Sequence, residues 1–548
     1  FFIKQVVFAM NKSCERGDLL LDVQGLKIQG FSDEKWHDII KGIDLKLHRG
    51  EIIGLIGESG AGKSTLGLAA MGYTQPGCRI TGGNILFDGV DLARLSDAQK
   101  KKFWGNKMTY VAQSAAASFN PAHRLILQTT ASTIRSGAKS KDQAYSDARD
   151  LYKELNLPDP QNIGERYPHQ VSGGQLQRVM TAMAMSPRPD LIVFDEPTTA
   201  LDVTTQVEVL SAMRKIVEKF NTAAIYITHD LAVVAQMADY IKVLRYGKEV
   251  EEAPTRKMLS SPKEDYTKSL WSVRSLEKQE QQKGESVLSL TGINAAYGSA
   301  RVLFDVNIEV PKGTTVAVVG ESGSGKSTTA RVITGLLPQS SGIISFDGEE
   351  LPRVLKDRTK EQKRRIQMIY QMADTAMNPR QTVGEIIGRP LQFYLDMNGF
   401  PKKKRTLELL EMIELNGDFM QRLPSELSGG QKQRICIARA LAANPDFIIC
   451  DEVTSALDQI VQEGILKLLL RLQKELGLTY LFITHDISTV KAISDQVVVM
   501  NKGEVVEQGQ KTDVFQPPHP AYTELLLSSV PEMDPDWLTN LNITRQLN

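Results

Sequence analysis

A nine-residue glycine-rich segment occurs twice in this chain, as GESGAGKST from Gly57 to Thr65 and as GESGSGKST from Gly320 to Thr328. Eight of the nine positions agree, and the two lysines, Lys63 and Lys326, lie 263 residues apart. A short aliphatic run precedes each loop, Ile52 to Ile56 and Val316 to Val319, as a buried strand requires. Glycines here let backbone N–H groups close around phosphate oxygens, where side chains would block the approach. The lysines then reach the β/γ-phosphates, and the hydroxyls of Ser64 and Ser327 face a divalent cation. One such loop implies nucleoside triphosphate binding. Two imply a tandem pair of triphosphate-driven engines, provided the later motifs repeat as well.

They do repeat. Ser172 and Ser428, Glu196 and Glu452, and His229 and His485 are each separated by 256 residues. Set against the 263 between the lysines, this places seven extra residues of the first half between its phosphate loop and Ser172. Spacing held that rigidly implies one fold used twice, with length changes confined to surface loops. At 548 residues a single core is implausible, and two domains suit the length. We assign 19–271 to the first domain and 287–530 to the second. The polar, aromatic-free stretch from Ser272 to Gly284 marks a linker over 272–286, with an N-terminal extension at 1–18 and a tail at 531–548.

Within each half the pattern is α/β. Alternating segments (Leu19 to Ile28, Val287 to Ile293) and the turns Asp88-Gly89 and Asp347-Gly348 indicate a hairpin-like β region. Ala144, Ala148, Leu151 and Leu155 recur at helical spacing, as do Leu407, Leu410 and Ile413 in the second half. A returning strand then ends in paired acids, LIVFDE from Leu191 and FIICDE from Phe447. Asp195 and Asp451 can hold Mg²⁺ through water, while Glu196 and Glu452 can orient or deprotonate an attacking water.

Composition narrows the class further. Lys plus Arg and Asp plus Glu both number 65, without the basic excess of a nucleic-acid binder. No apolar run approaches the roughly 20 residues of a membrane helix, so membrane association would come through partners. FFIKQVVFAM at the start lacks signal-peptide features, and with Met10 close behind it is expected to be an over-extended or artefactual start rather than an anchor. Cys14, Cys78, Cys436 and Cys450 have no CxxC spacing, so reduced thiols are expected.

VSGGQLQR from Val171 and LSGGQKQR from Leu427 complete the pattern. These segments resemble the signature of the ATP-binding cassette (ABC) superfamily, and the resemblance runs from about residue 19 to residue 530. A Ser and two Gly opening a helix present a hydroxyl and bare backbone donors to an anion. The resemblance implies two tandem P-loop NTPase domains, each with a RecA-like α/β core, an antiparallel β subdomain and a helical subdomain. It implies ATP and Mg²⁺ as cofactors and a pseudo-dimer within one chain, in which Lys63 shares one ATP with Ser428 and Lys326 the other with Ser172. It also implies an ATPase with two hydrolysing sites, because neither half has lost a motif.

The family pattern carries over residue by residue. Gly57, Ser59, Gly60, Gly62, Lys63, Ser64 and Thr65 would bind one nucleotide, with Gly320, Ser322, Gly323, Gly325, Lys326, Ser327 and Thr328 binding the other. Ser172, Gly174 and Gln175, with Ser428, Gly430 and Gln431, are the signature contacts. Gln113 and Gln371 would sense γ-phosphate and Mg²⁺, sharing the metal with Ser64, Asp195, Ser327 and Asp451. Glu196 and Glu452, with the switch histidines His229 and His485, would be catalytic. TALD (Thr199 to Asp202) and SALD (Ser455 to Asp458) follow as bridging loops. Tyr297 is a candidate for adenine stacking; the first half offers Phe31 or Trp36, near an apparent insertion. Val453 stands where the first half has Pro197, and is expected to alter the following turn more than the chemistry.

FNPAHRL (Phe119 to Leu125), MNPRQTVGEII (Met377 to Ile387) and the related segments SSPKEDYTKSL (Ser260 to Leu270) and FQPPHPAYTELL (Phe515 to Leu526) resemble the oligopeptide/dipeptide/nickel importer ATPases. Two subunits that are normally separate there are fused here, and the cysteine cluster of several members is missing, so no iron–sulfur cluster is carried over. The resemblance implies two permease subunits, an extracytoplasmic solute-binding protein, and a peripheral place on the cytoplasmic face of the inner membrane. Peptides, glutathione-like compounds, metal chelates and opine-like molecules all fit as solutes. The alternatives are a soluble tandem-cassette translation factor, against which the dozen-residue linker and balanced charge speak, and a sugar-importer ATPase, against which the intact second loop speaks.

Overall fold

A computed structural model describes residues 17–32, 34–198, 201–272, 278–280, 284–455 and 457–547. The chain divides into two compact units, the first reaching Trp271 without Asp202–Thr204 and also taking in the segment from Pro531, the second comprising Ser272–Val530 with Asp202–Thr204. Thr199, Ala200, Ala456, Cys14 and most of the N-terminal extension lie outside the described residues.

Each unit has the same two sheets. In the first, Lys35–His48, Leu19–Ser32, Cys78–Phe87 and Val90–Asp91 form a four-stranded antiparallel sheet in that order. Its last turn is Asp88-Gly89, both residues at positive φ (49° and 78°), as a two-residue hairpin turn demands. A six-stranded sheet follows in the order Lys248–Pro254, Tyr240–Arg245, Ile52–Ile56, Ala223–Ile227, Leu191–Asp195 and Met108–Val111. It is parallel except for the Lys248–Pro254 edge. The strands Ile52–Ile56, Leu191–Asp195 and Ala223–Ile227 are buried at every residue, which explains their unbroken apolar runs.

The second unit repeats this with Ala300–Pro311, Ser286–Tyr297, Ser341–Phe346 and Glu349–Glu350, and with Ile366–Ile369, Phe447–Asp451, Thr479–Ile483, Thr315–Val319, Gln496–Asn501 and Glu504–Gln510. Asp347-Gly348 makes its hairpin turn, at φ 55° and 80°.

Between phosphate loop and acidic strand each unit inserts a helical layer. Leu125–Arg135, Lys141–Glu154 and Gly173–Met185 pack together in the first, and Val383–Leu395, Gly399–Met412 and Gly429–Leu441 in the second. Ala144, Ala148, Leu151 and Leu155 are buried as their spacing predicts. In the second unit Leu410 and Ile413 are buried but Leu407 is exposed; Thr406 and Leu409 complete the inward face of that helix instead.

Of the predicted linker, 273–277 and 281–283 lie outside the described residues. Lys278 inserts into the second unit, where its Nζ donates to Asp495 Oδ2 at 2.5 Å and to Gln473 Oε1 at 2.8 Å. The tail, which shows no usable periodicity in sequence, forms a helix, Trp537–Leu547, whose Leu538 is buried.

Candidate functional site

Each phosphate loop joins a buried strand to a helix that starts at its lysine, Lys63–Ala70 or Lys326–Ile333. Gly62 and Gly325 cap those helices in the left-handed region, at φ 96° and 107°. At Gly57 and Gly320 a Cβ would lie 2.1 Å from the carbonyl oxygens of Leu244 and Met500, so those two positions admit no side chain without displacing the backbone. Lys63 is buried, its Nζ donating to the carbonyls of Gly57 (2.7 Å) and Glu58 (2.9 Å). Lys326 does the same with Gly320 and Glu321, both at 2.8 Å. Burial lowers the Lys326 pKa against the raising effect of Glu452 and Asp451.

The parallel sheet brings the acids to the loop. Asp195 ends its strand with Oδ1 accepting from Ser64 Oγ at 2.9 Å; Asp451 accepts from Ser327 Oγ at 3.0 Å. Burial raises the pKa of both carboxyls. These hydroxyl and carboxylate oxygens, close together and largely dehydrated, suit a hard divalent cation.

Glu196 and Glu452 follow at φ 47° and 49°. A non-glycine residue in that region is strained, and both halves keep it where the glutamate side chain itself meets Gln and His. Gln113 Nε2 donates to Glu196 Oε2 at 3.0 Å, and Gln371 Nε2 to Glu452 Oε2 at 2.6 Å. His229 Nδ1 lies 3.1 Å from Glu196 Oε1, and His485 Nδ1 lies 3.5 Å from Glu452 Oε1. Burial lowers the pKa of both histidines, but hydrogen bonding and charge from the facing glutamate outweigh it and raise them. Glu452 is held low by His485 and Lys326, against the upward push of burial.

Lys, Ser, Asp, Glu, Gln and His of each cassette thus converge. The signature residues form a separate centre. Ser172 Oγ accepts from the Gln175 N–H at 3.3 Å, and Gln175 Oε1 accepts from the Ser172 N–H at 3.1 Å. Ser428 and Gln431 form the same reciprocal cap at 3.3 and 2.9 Å. Among the described residues, neither serine hydrogen-bonds to its own cassette's Lys–Asp–Glu group. Gly174 and Gly430 are needed for close packing, since a Cβ would meet Thr205 at 2.1 Å and Val461 at 2.4 Å.

Phe31 and Trp36 pair across the tip of their hairpin, ring centroids 5.3 Å apart, with the Arg79 guanidinium 3.8 Å over Trp36. Both are exposed, as is Tyr297, whose hydroxyl accepts from Arg331 Nη1 at 3.0 Å. After Pro197 and Val453 the flanking bonds are alike, Leu201 N–H to Thr198 O at 3.1 Å and Leu457 N–H to Thr454 O at 3.2 Å, while Thr199, Ala200 and Ala456 within the turns lie outside the described residues. One contributor was not foreseen. Tyr110 Oη donates to Asp195 Oδ2 at 2.7 Å, and no spacing signal marks it, since the aligned residue of the second half is Met368.

Comparison with known proteins agrees with this geometry. The family described as ABC transporter matches residues 40–199 and 303–455, and the oligopeptide/dipeptide transporter C-terminal region matches residues 506–547. The glutathione import ATP-binding protein GsiA of Salmonella typhimurium is 36% identical over 94% of this chain and 90% of its own length. GsiA of Escherichia coli O157:H7 is 35% identical over the same shares. With two cassettes matched in one chain and relatives aligned along nearly all of it, this protein belongs to the ABC transporter ATPases that use ATP with Mg²⁺, in the branch carrying the oligopeptide/dipeptide C-terminal region.

Proposed function

We propose that the chain powers uptake of glutathione or a similarly short peptide, acting from the cytoplasmic face through two membrane permeases fed by an extracytoplasmic solute-binding protein. The observation that carries this is the full-length similarity to glutathione import subunits together with the peptide-transporter C-terminal region. Among the described residues no helix is long and apolar enough to cross a membrane. The segments after Gln113 and Gln371 would receive the permeases: 120–124 is exposed, and so are Met372 and 378–380.

In each cassette the glycine loop would cradle the phosphates and Lys63 or Lys326 would leave its carbonyl cradle for them. Ser64, Gln113 and Asp195, and Ser327, Gln371 and Asp451, would hold Mg²⁺, which when bound neutralises charge on the phosphate oxygens. Glu196 and Glu452 would take the water proton, with Gln and His holding the carboxylate. The signature centres, separate from these groups in their own cassettes, would complete the opposite site: Ser428 with Lys63, Ser172 with Lys326. Closure of the two halves on ATP would drive the permeases, and hydrolysis would reopen them.

The test is ATPase activity of the purified chain, alone and with its permeases in lipid, with and without glutathione-loaded binding protein. Stimulation by the loaded binding protein is the expected result. Turnover indifferent to these partners but raised by ribosomes would overturn the importer reading in favour of a translation factor.

A further inference from the structure

The related segments that close each half carry a tyrosine with an unassigned role, Tyr266 and Tyr522. They stand 256 residues apart, each in a short helix after its parallel sheet: Asp265–Ser272 and Ala521–Ser528. Both reach the phosphate loop of their own cassette. The Glu58 N–H donates to Tyr266 Oη at 3.3 Å, and the Glu321 N–H donates to Tyr522 Oη at 3.0 Å.

The peptide so held is the one that matters to the lysine. The carbonyls of Glu58 and Glu321 accept from Lys63 and Lys326, so each glutamate is tied through its N–H to the tyrosine and through its C=O to the lysine. That N–H belongs to the second residue of the loop. Without the phenol, it would lose its partner beside the phosphate site.

The tyrosines are themselves fixed. Tyr266 is 9% exposed and lies under the Arg245 guanidinium, 4.3 Å from its ring centroid. Tyr522 packs against the cluster of Val319, Val514 and Leu526. In both cassettes a packed ring therefore delivers the same hydroxyl to the same backbone group.

We propose that Tyr266 and Tyr522 are positioning residues for nucleotide binding, each fixing the peptide that cradles the phosphate-loop lysine and tying the peptide-transporter type C-terminal segment to the ATP site of its own cassette. The latch acts through the loop and touches no reacting atom. Its consequence is directional: whatever displaces the C-terminal helix of a cassette loosens that cassette's grip on ATP. It rests on the assignment of the glycine loops as the ATP sites.

The experiment uses the full chain with Tyr266→Phe, Tyr522→Phe and both together, since phenylalanine keeps the ring and removes only the hydroxyl. ATP affinity is read with a fluorescent ATP analogue and Mg²⁺, the KM and kcat for ATP by turnover, and the Glu58 and Glu321 amides by hydrogen exchange. Each single change is expected to weaken nucleotide binding at one site about 3–10-fold, with KM raised, kcat largely kept and the matching amide deprotected. Exchange in the neighbouring strand Ile52–Ile56 or Thr315–Val319 should stay as in the parent, and if one variant folds poorly the other reports alone. Unchanged ATP affinity in a well-folded variant, or a fall in thermal stability with no change in affinity, overturns the latch. Failure of the parent chain itself to bind ATP overturns the site assignment beneath it, a distinguishable result.

Discussion

The two cassettes agree where chemistry is done and differ in what covers the flank of the parallel sheet. Lysine, serine, glutamine and histidine contacts repeat to within a few tenths of an ångström. Asp239 and Asp495, 256 residues apart, both begin as local clamps, accepting from the N–H of Ile52 at 2.9 Å and of Thr315 at 2.8 Å. There the likeness ends. Asp239 is open to solvent, whereas Asp495 is 0% exposed beneath Lys278. The first cassette is covered nearby instead, at Gln236: its Nε2 donates to the carbonyls of Glu532 (2.8 Å) and Asp534 (2.7 Å), and its Oε1 accepts from the Leu538 N–H at 3.0 Å. The aligned residue of the second cassette is Ala492. Duplication preserved the site, and divergence gave each copy its own anchor for the chain that flanks it.

The largest effect should fall on what the copies share. Glu196→Gln and Glu452→Gln should each keep ATP binding and slow turnover at the altered site by about 10²–10⁴-fold, the range for loss of a general base. Normal turnover in the double variant would break the assignment of both carboxylates. If each single variant abolishes turnover at both sites, the copies are alike in chemistry but not independent in the cycle.

Lys278→Ala comes next, and it should act on one copy alone. Removing the cation takes from buried Asp495 the ammonium it is paired with, and breaking a buried pair costs about 3–5 kcal/mol. Lys278 is held below its ordinary pKa by burial, against the raising effect of Asp495, so the ion pair is not an easy one to form. Stepwise thermal unfolding should show the second cassette melting earlier with the first unmoved. Equal loss in both would mean that the flanking segment serves the whole chain rather than its neighbour.

Tyr110→Phe is the reciprocal test on the first copy. It removes one of the two donors to Asp195, and a hydrogen bond to a charged group is worth about 1.5–3 kcal/mol. The first cassette should lose that stability without nucleotide, and Met368→Phe in the second should not. Equal losses would show that packing, not the phenol, matters at that position.

These differences also mark the limits of what the sequence shows. Phosphate loops, acidic strand ends and caps are local rules, fixed by glycine conformation, buried apolar runs and Ser-x-x-Gln spacing, and they are legible in the chain. Tyr110, Lys278 and Gln236 act through contacts 85, 217 and about 300 residues away, and ordinary residue types at such separations carry no pattern. The expected face of Gly399–Met412 holds at Leu410 and fails at Leu407 for a related reason. Leu407, Leu409 and Leu410 all fit an apolar stripe, and only packing against the neighbouring helices decides which turns outward.

The smallest effect should come from the other anchor. Arg256 Nη2 meets Asp536 Oδ1 at 2.7 Å in the C-terminal segment, but the side chains are 69% and 53% exposed. An exposed pair of this kind contributes about 0–1 kcal/mol and is screened by salt. Arg256→Gln should therefore leave the melting of the first cassette nearly unchanged, and protease resistance of the segment from Pro531 should survive high salt. The segment is held by the neutral bonds at Gln236 and by Leu538, 1% exposed, neither of which salt weakens. Release of the segment by salt or by Arg256→Gln would reverse this, making the first copy's anchor as electrostatic as the second's and leaving burial alone to separate the two.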